Sequence, residues 1–345
     1  MDVVENGHYR HCRFTSFGAN EARTGQCSTP TRWPAAVSSP PLGNEAETRE
    51  DAMASFREEI HPFRARRGQT RETLGGVKDE QLAVSTDGHG DVRSRLLRIA
   101  TLMFQRRVEL ATTFAALGWQ QTEAQRILGL AMESRGELRS IVLGVPDEYV
   151  DRAPAPGEWT VRQTLEHAHA VDRRYMLGIE YAVERVHSPI ELPLQRPTAG
   201  MPAPAGDGSL TGGLASILTQ LHMTRDEVAA RLSGIADADL GAPSMYGGHD
   251  VDVRFRLHVL AAHEREHTGQ VARTLRALSF QQTEAQMILG QAEVAGGSIE
   301  GMLIGIPDEL LTQMPPGGLP SVHRILATAV GEEGAIADTI VRAVA

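Results

Sequence analysis

A long internal repeat is the feature that most constrains how this chain of 345 residues can fold. The string "ALGWQQTEAQRILG" at 116–129 recurs as "ALSFQQTEAQMILG" at 277–290, and "IVLGVPDE" at 141–148 recurs as "MLIGIPDE" at 302–309. The two copies are separated by the length of a whole domain, which is too long for the repeat unit of a solenoid. The chain is therefore expected to contain a duplicated domain.

The match also extends towards the N-terminus from these strings, and it indicates a circular permutation. "LGGVKDEQL" at 74–82 resembles "LSGIADADL" at 232–240, and "DGHGDVRSRL" at 87–96 resembles "GGHDVDVRFRL" at 247–257. The middle of the chain is then one complete copy. The two ends are the second and the first half of another copy.

This arrangement predicts three parts of the chain. Residues 1–44 are rich in Gly, Pro, Ser and Thr, and we expect them to form a disordered tail. Residues 119–279 are expected to form one domain, and residues 45–118 to pack with 280–345 into a second, degenerate domain. A homodimer in which two chains exchange these ends is the alternative.

The periodicity of apolar residues predicts an all-α fold. In the central copy, helical spacing covers about 120–144, a stretch that starts after "APAPGEW", about 210–234 and about 250–278. No segment alternates convincingly with period two, so β structure should be scarce. Four helices of this length predict an up-down-type four-helix bundle, and the repeat predicts two pseudo-repeated bundles.

Composition and charge exclude several classes of partner. The formal net charge of −10 disfavours binding to nucleic acid or to an anionic membrane. No apolar stretch reaches the roughly 18 residues that would span a bilayer, and the N-terminus does not look like a secretory signal. The two cysteines, Cys12 and Cys27, provide no disulfide framework for the rest of the chain. We therefore expect a cytoplasmic protein.

The string "HEREH" at 263–267 is a literal H-E-x-x-H, the pattern found in zinc metalloproteases. His263 and His267 are four residues apart in the predicted fourth helix, so they project from one face of it. Two neutral imidazoles at this spacing can share one divalent metal. A third ligand would have to come from another helix.

The predicted second helix offers that third ligand in "EWTVRQTLEHAHAV". His167 and His169 are about 200° apart around a helix, so only one of them can face the bundle interior. His167 lies on the same side as the apolar residues and Tyr175. The interpretation favoured here is a metal site with three histidine ligands, namely His167, His263 and His267.

Three neighbours of the histidines are candidates for supporting roles. Glu264 and Glu266 flank the face that carries the pair, and their default place is a solvated helix edge. The sharper interpretation is a hydrogen bond to a ligand imidazole. Tyr175, on the same side of the second helix as His167, is the third candidate for such a supporting contact.

Two strings resemble motifs of the DinB/YfiT-like four-helix bundles. "WTVRQTLEH", a tryptophan followed eight residues later by a histidine, resembles the start of their second helix, and "HEREHTGQVARTLRAL" resembles their fourth-helix motif. The resemblance covers about 119–279 and, in weaker form, the permuted copy. The sequence departs from the family at Glu266 and Thr268, where histidine and arginine are common. By position, the family's three metal-binding histidines correspond to His167, His263 and His267.

The resemblance implies a cytosolic protein that binds a divalent metal, and three imidazoles suit zinc and nickel alike. Several relatives are transferases or isomerases that use a low-molecular-weight thiol such as bacillithiol, mycothiol or glutathione. Three neutral ligands leave the metal its full charge and an open position, where a thiol loses its proton more readily. Arg162, Arg173 or Arg174 could hold a carboxylate of that thiol.

Two other functions are weighed against a thiol transferase or isomerase. A metalloprotease would use Glu264 as its general base and would take a third ligand further along the chain. A non-catalytic metal-binding or stress-response module is the other alternative. The degenerate copy favours it slightly, since Thr328, Leu102 and Arg106 stand where the three histidines would be.

Overall fold

The computed structural model describes residues 45–87, 90–197 and 210–345, with side chains from residue 60 onward. Nine α-helices make up most of this described part of the chain. The all-α fold predicted from the sequence is confirmed. None of these described helices combines the length and the apolar character that a membrane span needs. The predicted tail at 1–44 lies outside the described residues. The helices are α1 (Glu45–Leu74), α2 (Val92–Leu117), α3 (Glu123–Ile141), α4 (Val161–His187), α5 (Leu214–Leu232), α6 (Val253–Ala277), α7 (Glu284–Met302), α8 (Asp308–Thr312) and α9 (Val322–Val344).

A short antiparallel hairpin precedes α6, where the sequence predicted helix from about 250. Its strands are β1 (Pro243–Tyr246) and β2 (His249–Asp252). The turn between them has φ values of 58° at Gly247 and 84° at Gly248, which glycine adopts without steric cost. Helix α6 begins only after Asp252, because the side chain of this residue caps its first turn at 2.8 Å.

The repeated string "QQTEAQ" starts a helix in both copies. Thr122 and Thr283 are the N-cap residues of α3 and α7. Each threonine hydroxyl accepts a hydrogen bond from the N–H of the glutamine three residues later, at 3.2 Å. The side chain of that glutamine accepts one from the threonine N–H, at 3.0 Å. This reciprocal capping satisfies two backbone donors that the helix cannot pair internally.

Helices α3 to α6 pack together as one group. Helix α3 lies against α5 and α6, and α4 lies against the same two helices. All four helices contribute buried apolar side chains to its core, for example Ile127, Ile179, Val228 and Leu257. The cleft between α4 and α6 is the part of this group that carries the predicted histidines.

Helices near the two ends of the described chain form the other group. Helices α1 and α2 both lie against α7 and α9, and their core includes Phe63, Met103, Leu289 and Ile325. This packing is what the predicted pairing of the two half-copies requires. The division into domains and its origin by circular permutation stay a proposal, which the packing supports.

The two groups meet where α3 crosses α7, and glycines allow the close approach. A Cβ atom added at Gly297 would lie 2.6 Å from the carbonyl oxygen of Met132. One added at Gly301 would lie 2.7 Å from the carbonyl oxygen of Gly129. Both separations are too short for a real side chain, so the backbones of α3 and α7 touch directly.

A buried ionic network also links the two groups. Arg64 of α1 lies 2.7 Å from Asp226 of α5 and 2.8 Å from Glu300 of α7. Arg139 of α3 lies 2.9 Å from Glu300 and 3.1 Å from Glu293, which is also in α7. Buried charges are costly unless they are paired, so this network favours one arrangement of the four helices over others.

Candidate metal centre

Three histidines converge between α4 and α6. His167 comes from α4, whereas His263 and His267 come from consecutive turns of α6. The Nε2 atom of His263 lies 3.3 Å from that of His167 and 3.0 Å from that of His267. One nitrogen of each ring lies within 4.8 Å of the others. Among the side chains that the structure describes, no other group of His, Cys, Asp and Glu meets this condition.

The spacing of the three nitrogens fits a small divalent cation. Zinc binds histidine nitrogens at about 2.0–2.1 Å, so two such ligands at a tetrahedral angle are about 3.3 Å apart. The separations of 3.3 and 3.0 Å are close to this value. A donor set of three imidazoles suits zinc and also nickel, so it does not choose between them.

Burial keeps two of the histidines neutral. Desolvation, together with the nearby rings of His267 and His167, lowers the pKa of His263 to about 3. Desolvation also lowers the pKa of His267, against the opposing effect of its hydrogen bond with Gln270. A neutral imidazole keeps a lone pair for a metal, which an imidazolium lacks. Both rings of α6 are therefore able to bind a metal near neutral pH.

Gln270 fixes the tautomer of His267. Its Oε1 atom lies 2.9 Å from Nδ1 of His267. An amide oxygen only accepts hydrogen bonds, so Nδ1 carries the proton and Nε2 keeps its lone pair towards the other two histidines. Gln270 was not among the predicted neighbours. Its position three residues after His267, on the same helix face, was the signal that could have identified it.

Two aromatic rings border the histidines. The ring centroid of Trp159 lies 5.2 Å from that of His167, and its side chain stays 36% exposed. The ring centroid of Tyr175 lies 5.6 Å from that of His263. The Tyr175 hydroxyl donates to the hydroxyl of Tyr246 at 3.1 Å. Tyr175 therefore meets the site through its ring, while its hydroxyl points towards the hairpin.

Glu264 is buried, so its expected place at a solvated helix edge is wrong. Its carboxylate accepts hydrogen bonds from Arg135 and Arg225, both at 2.5 Å, and from Ser134 at 3.0 Å. Asp172 of α4 pairs with the same two arginines. Although burial opposes ionisation, Arg135 and Arg225 lower the pKa of Glu264. The carboxylate is thus a charged member of a network beneath the histidines.

The other predicted residues lie further from the histidine rings or face elsewhere. Glu266 and Arg173 are exposed on the surfaces of α6 and α4. Arg162 donates to Asp151 at 2.5 Å, and two backbone carbonyls near the start of α5 accept from it as well. It therefore ties loops to the start of α4. Arg174 lines a cavity next to the site.

The positions that the proposed duplication would match to the three histidines hold a different set of side chains. Leu102 of α2 is fully buried. Arg106, one turn later, forms ion pairs with Glu109 and with Glu332, the latter at 2.9 Å. Thr328 of α9 lines the same cavity as Arg106. A guanidinium at the place of the last histidine disfavours a cation there.

Comparison with known proteins identifies a family for part of the chain. Residues 132–271 match the family model of the DinB superfamily. No curated protein and no solved structure gave a significant match. The matched segment contains all three histidines of the cluster, and it includes no part of 45–118 or 280–345, where a second copy is proposed. Over residues 132–271, the chain is therefore similar to the DinB superfamily.

Proposed function

We propose that the three histidines bind a divalent metal, zinc or nickel, and that the protein is a thiol-dependent S-transferase or isomerase. The convergence of Nε2 atoms from His167, His263 and His267, at 3.3 and 3.0 Å from the central ring, is the observation that carries this proposal. The match of residues 132–271 to the DinB superfamily supports the metal. The thiol is suggested by the resemblance to family members that use one.

The residues around the site have separate tasks in this proposal. His263 and His267 are held neutral, and the hydrogen bond with Gln270 leaves the Nε2 lone pair of His267 free for a cation. When bound, the metal supplies positive charge that favours the thiolate form of a low-molecular-weight thiol. Trp159 is partly exposed beside His167, which leaves an approach to the histidines from solvent.

The surroundings of Glu264 argue against a metalloprotease. A general base has to reach a proton on the attacking water. The carboxylate of Glu264 is buried and accepts hydrogen bonds from Arg135, Arg225 and Ser134. Two guanidinium partners make this carboxylate a poor proton acceptor. The glutamate of the H-E-x-x-H string is therefore assigned to structure rather than to catalysis.

A non-catalytic metal-binding or stress-response module is the alternative. Structural zinc sites normally have four protein ligands, whereas catalytic sites keep one position open. Here three histidines form the cluster, and no fourth His, Cys, Asp or Glu among the described side chains joins them. That count favours a catalytic site. Thiols are kept reduced in the cytoplasm, where we propose that the protein acts on a small-molecule substrate.

Metal analysis of the purified full chain tests the site directly. We expect about one divalent metal per chain, since three protein ligands with one open position are typical of a single catalytic ion. His167→Ala and His263→Ala should each lose most of this metal. His258→Ala is the control, because His258 is an exposed residue on the same helix, α6. Undiminished metal in both cluster variants would contradict the proposal.

Conjugation of a thiol to a chromogenic electrophile separates an enzyme from a binding module. Bacillithiol, mycothiol and glutathione should be tested one by one, with and without the neutral chelator 1,10-phenanthroline. We expect one thiol to react in a way that the chelator abolishes and that added metal restores. Activity that ignores the chelator, or no activity with any thiol, would count against the transferase.

A further inference from the structure

A cavity of about 300 Å³ lies beside the histidine cluster, between α4, the hairpin and the first turns of α6. Tyr175 borders both the histidine cluster and the cavity. Its ring lies 5.6 Å from the ring of His263, and it also lines the cavity. Three arginines line the cavity as well, namely Arg174, Arg196 and Arg256. The wall of the cavity is therefore aromatic and positively charged.

Among the residues that the structure describes, Arg256 is held in place by neutral groups only. Its Nη1 atom donates to the carbonyl oxygen of Met245 at 2.7 Å and lies 3.3 Å from the hydroxyl of Ser244. Its guanidinium lies 5.8 Å from the ring centroid of Tyr175. Gly178 of α4 makes the room, because a Cβ atom at this position would collide with the guanidinium. The Nε atom is buried and has no hydrogen-bond partner among the described residues.

The charge of Arg256, which is partly buried, lacks the compensation that the buried arginines receive. Arg67, Arg135 and Arg225 are buried, and each pairs with two carboxylates. No carboxylate within the described parts of the chain pairs with Arg256. Burial lowers the pKa of Arg256, partly against the effect of two tyrosines, and nearby Arg174 lowers it further. A partly buried cation without a counterion is costly, and an anion would relieve that cost.

We infer that this cavity binds a small oxyanion, a carboxylate or a phosphate, and that Arg256 is its main binding residue. The planar guanidinium donates hydrogen bonds in the fork geometry that both kinds of oxyanion match. A volume of about 300 Å³ suits a small organic molecule. The additional inference that this anion is part of a substrate of the histidine site rests on the proposed function. The bound group would then lie one aromatic ring away from His263.

Calorimetric titration of the full chain with succinate, and separately with inorganic phosphate, tests this inference. 1,10-Phenanthroline should be present in one arm, because it removes metal without adding a carboxylate of its own. We expect binding of at least one of the two anions with and without the chelator. Arg256→Gln should weaken it about 10- to 100-fold, as is typical when a charge-assisted hydrogen-bonding partner is lost.

Arg254→Gln is the matched control for this experiment. Arg254 lies two residues earlier on α6, pairs with Glu123 at 2.6 Å and lies outside the cavity. The Arg254→Gln variant loses one positive charge, as Arg256→Gln does. Its affinity for the anion should remain within twofold of that of the original chain. Should Arg256→Gln fail to fold, Arg256→Lys keeps the charge but loses the fork, and we expect about tenfold weaker binding.

The outcomes separate this inference from the proposed function. No binding of either anion, or equal binding by the Arg256 variants and the original chain, would overturn the inference. Binding that disappears with 1,10-phenanthroline would assign the anion to a metal instead of Arg256, and would overturn it too. Anion binding that depends on Arg256 in a chain that holds no metal would support the inference while contradicting the proposed function.

Discussion

The protonation states of individual histidine side chains suit the cluster to binding a cation. Burial lowers the pKa of His263 to about 3, and the amide of Gln270 assigns the proton of His267 to Nδ1. The spacing of His263 and His267 was sufficient to predict that they share one face of a helix, because helical periodicity is local. The role of Glu264 was not predictable in this way, since its partners come from α3 and α5.

The hydrogen bond of Gln270 leads to a prediction about metal affinity. Gln270→Leu keeps the size of the side chain but removes the acceptor for His267 Nδ1–H. We expect metal affinity to fall about 10- to 100-fold, as is usual when a partner that orients a ligand is lost. Competition with a chromogenic chelator measures it. Gln105→Leu, at an exposed position on α2, is the control, and equal loss in both variants would contradict the prediction.

Contacts between helices decide how α3 and α7 cross. Both helices start with the same threonine–glutamine capping box, at Thr122 and at Thr283, and this feature is local because a cap spans only four residues. The crossing itself was not predicted. The crossing depends on glycines that face the backbone of the opposite helix, Gly129 in α3 and Gly297 and Gly301 in α7. The residues in contact are far apart in sequence, so local patterns do not reveal them.

Replacing a glycine at this crossing should destabilise the protein. Gly297→Ala would place a methyl group 2.6 Å from the carbonyl oxygen of Met132, so one helix has to shift. We expect the free energy of unfolding to fall by about 1–3 kcal/mol. Urea denaturation measures it. Gly331→Ala in α9 adds the same methyl group where nothing lies within 4 Å, and it should be neutral or stabilising by up to about 1 kcal/mol. Equal effects would contradict the prediction.

The whole molecule depends on both ends of its described chain. Helices α1 and α2 lie against α7 and α9, and Arg64 of α1 reaches Glu300 of α7 at 2.8 Å. Arg139 of α3 binds the same glutamate at 2.9 Å. The two groups of helices therefore share the crossing of α3 with α7 and one ionic network. Loss of either end should disturb both groups.

Removal of residues 280–345 should cause aggregation. The deletion takes away α7 and α9, which cover Phe63 and Met103 in the core next to α1 and α2. Size-exclusion chromatography should show large species or none at all, and a dye that binds exposed apolar surface should fluoresce. Co-expression of 280–345 as a separate chain should restore a well-behaved complex. A truncated chain that stays monomeric and soluble would argue against the two-half-copy arrangement.

The sequence by itself determined the features that depend on local spacing. These are the all-α fold, the helix starts of the repeated string, the shared face of His263 and His267, and the inward side of α4 that carries His167. The tertiary structure alone decided the rest: the burial of Glu264, the glycine crossing, and the place of Arg256 against Gly178. The physical reason is that periodicity and caps act within a few residues, whereas burial and charge pairing depend on which distant helices come into contact.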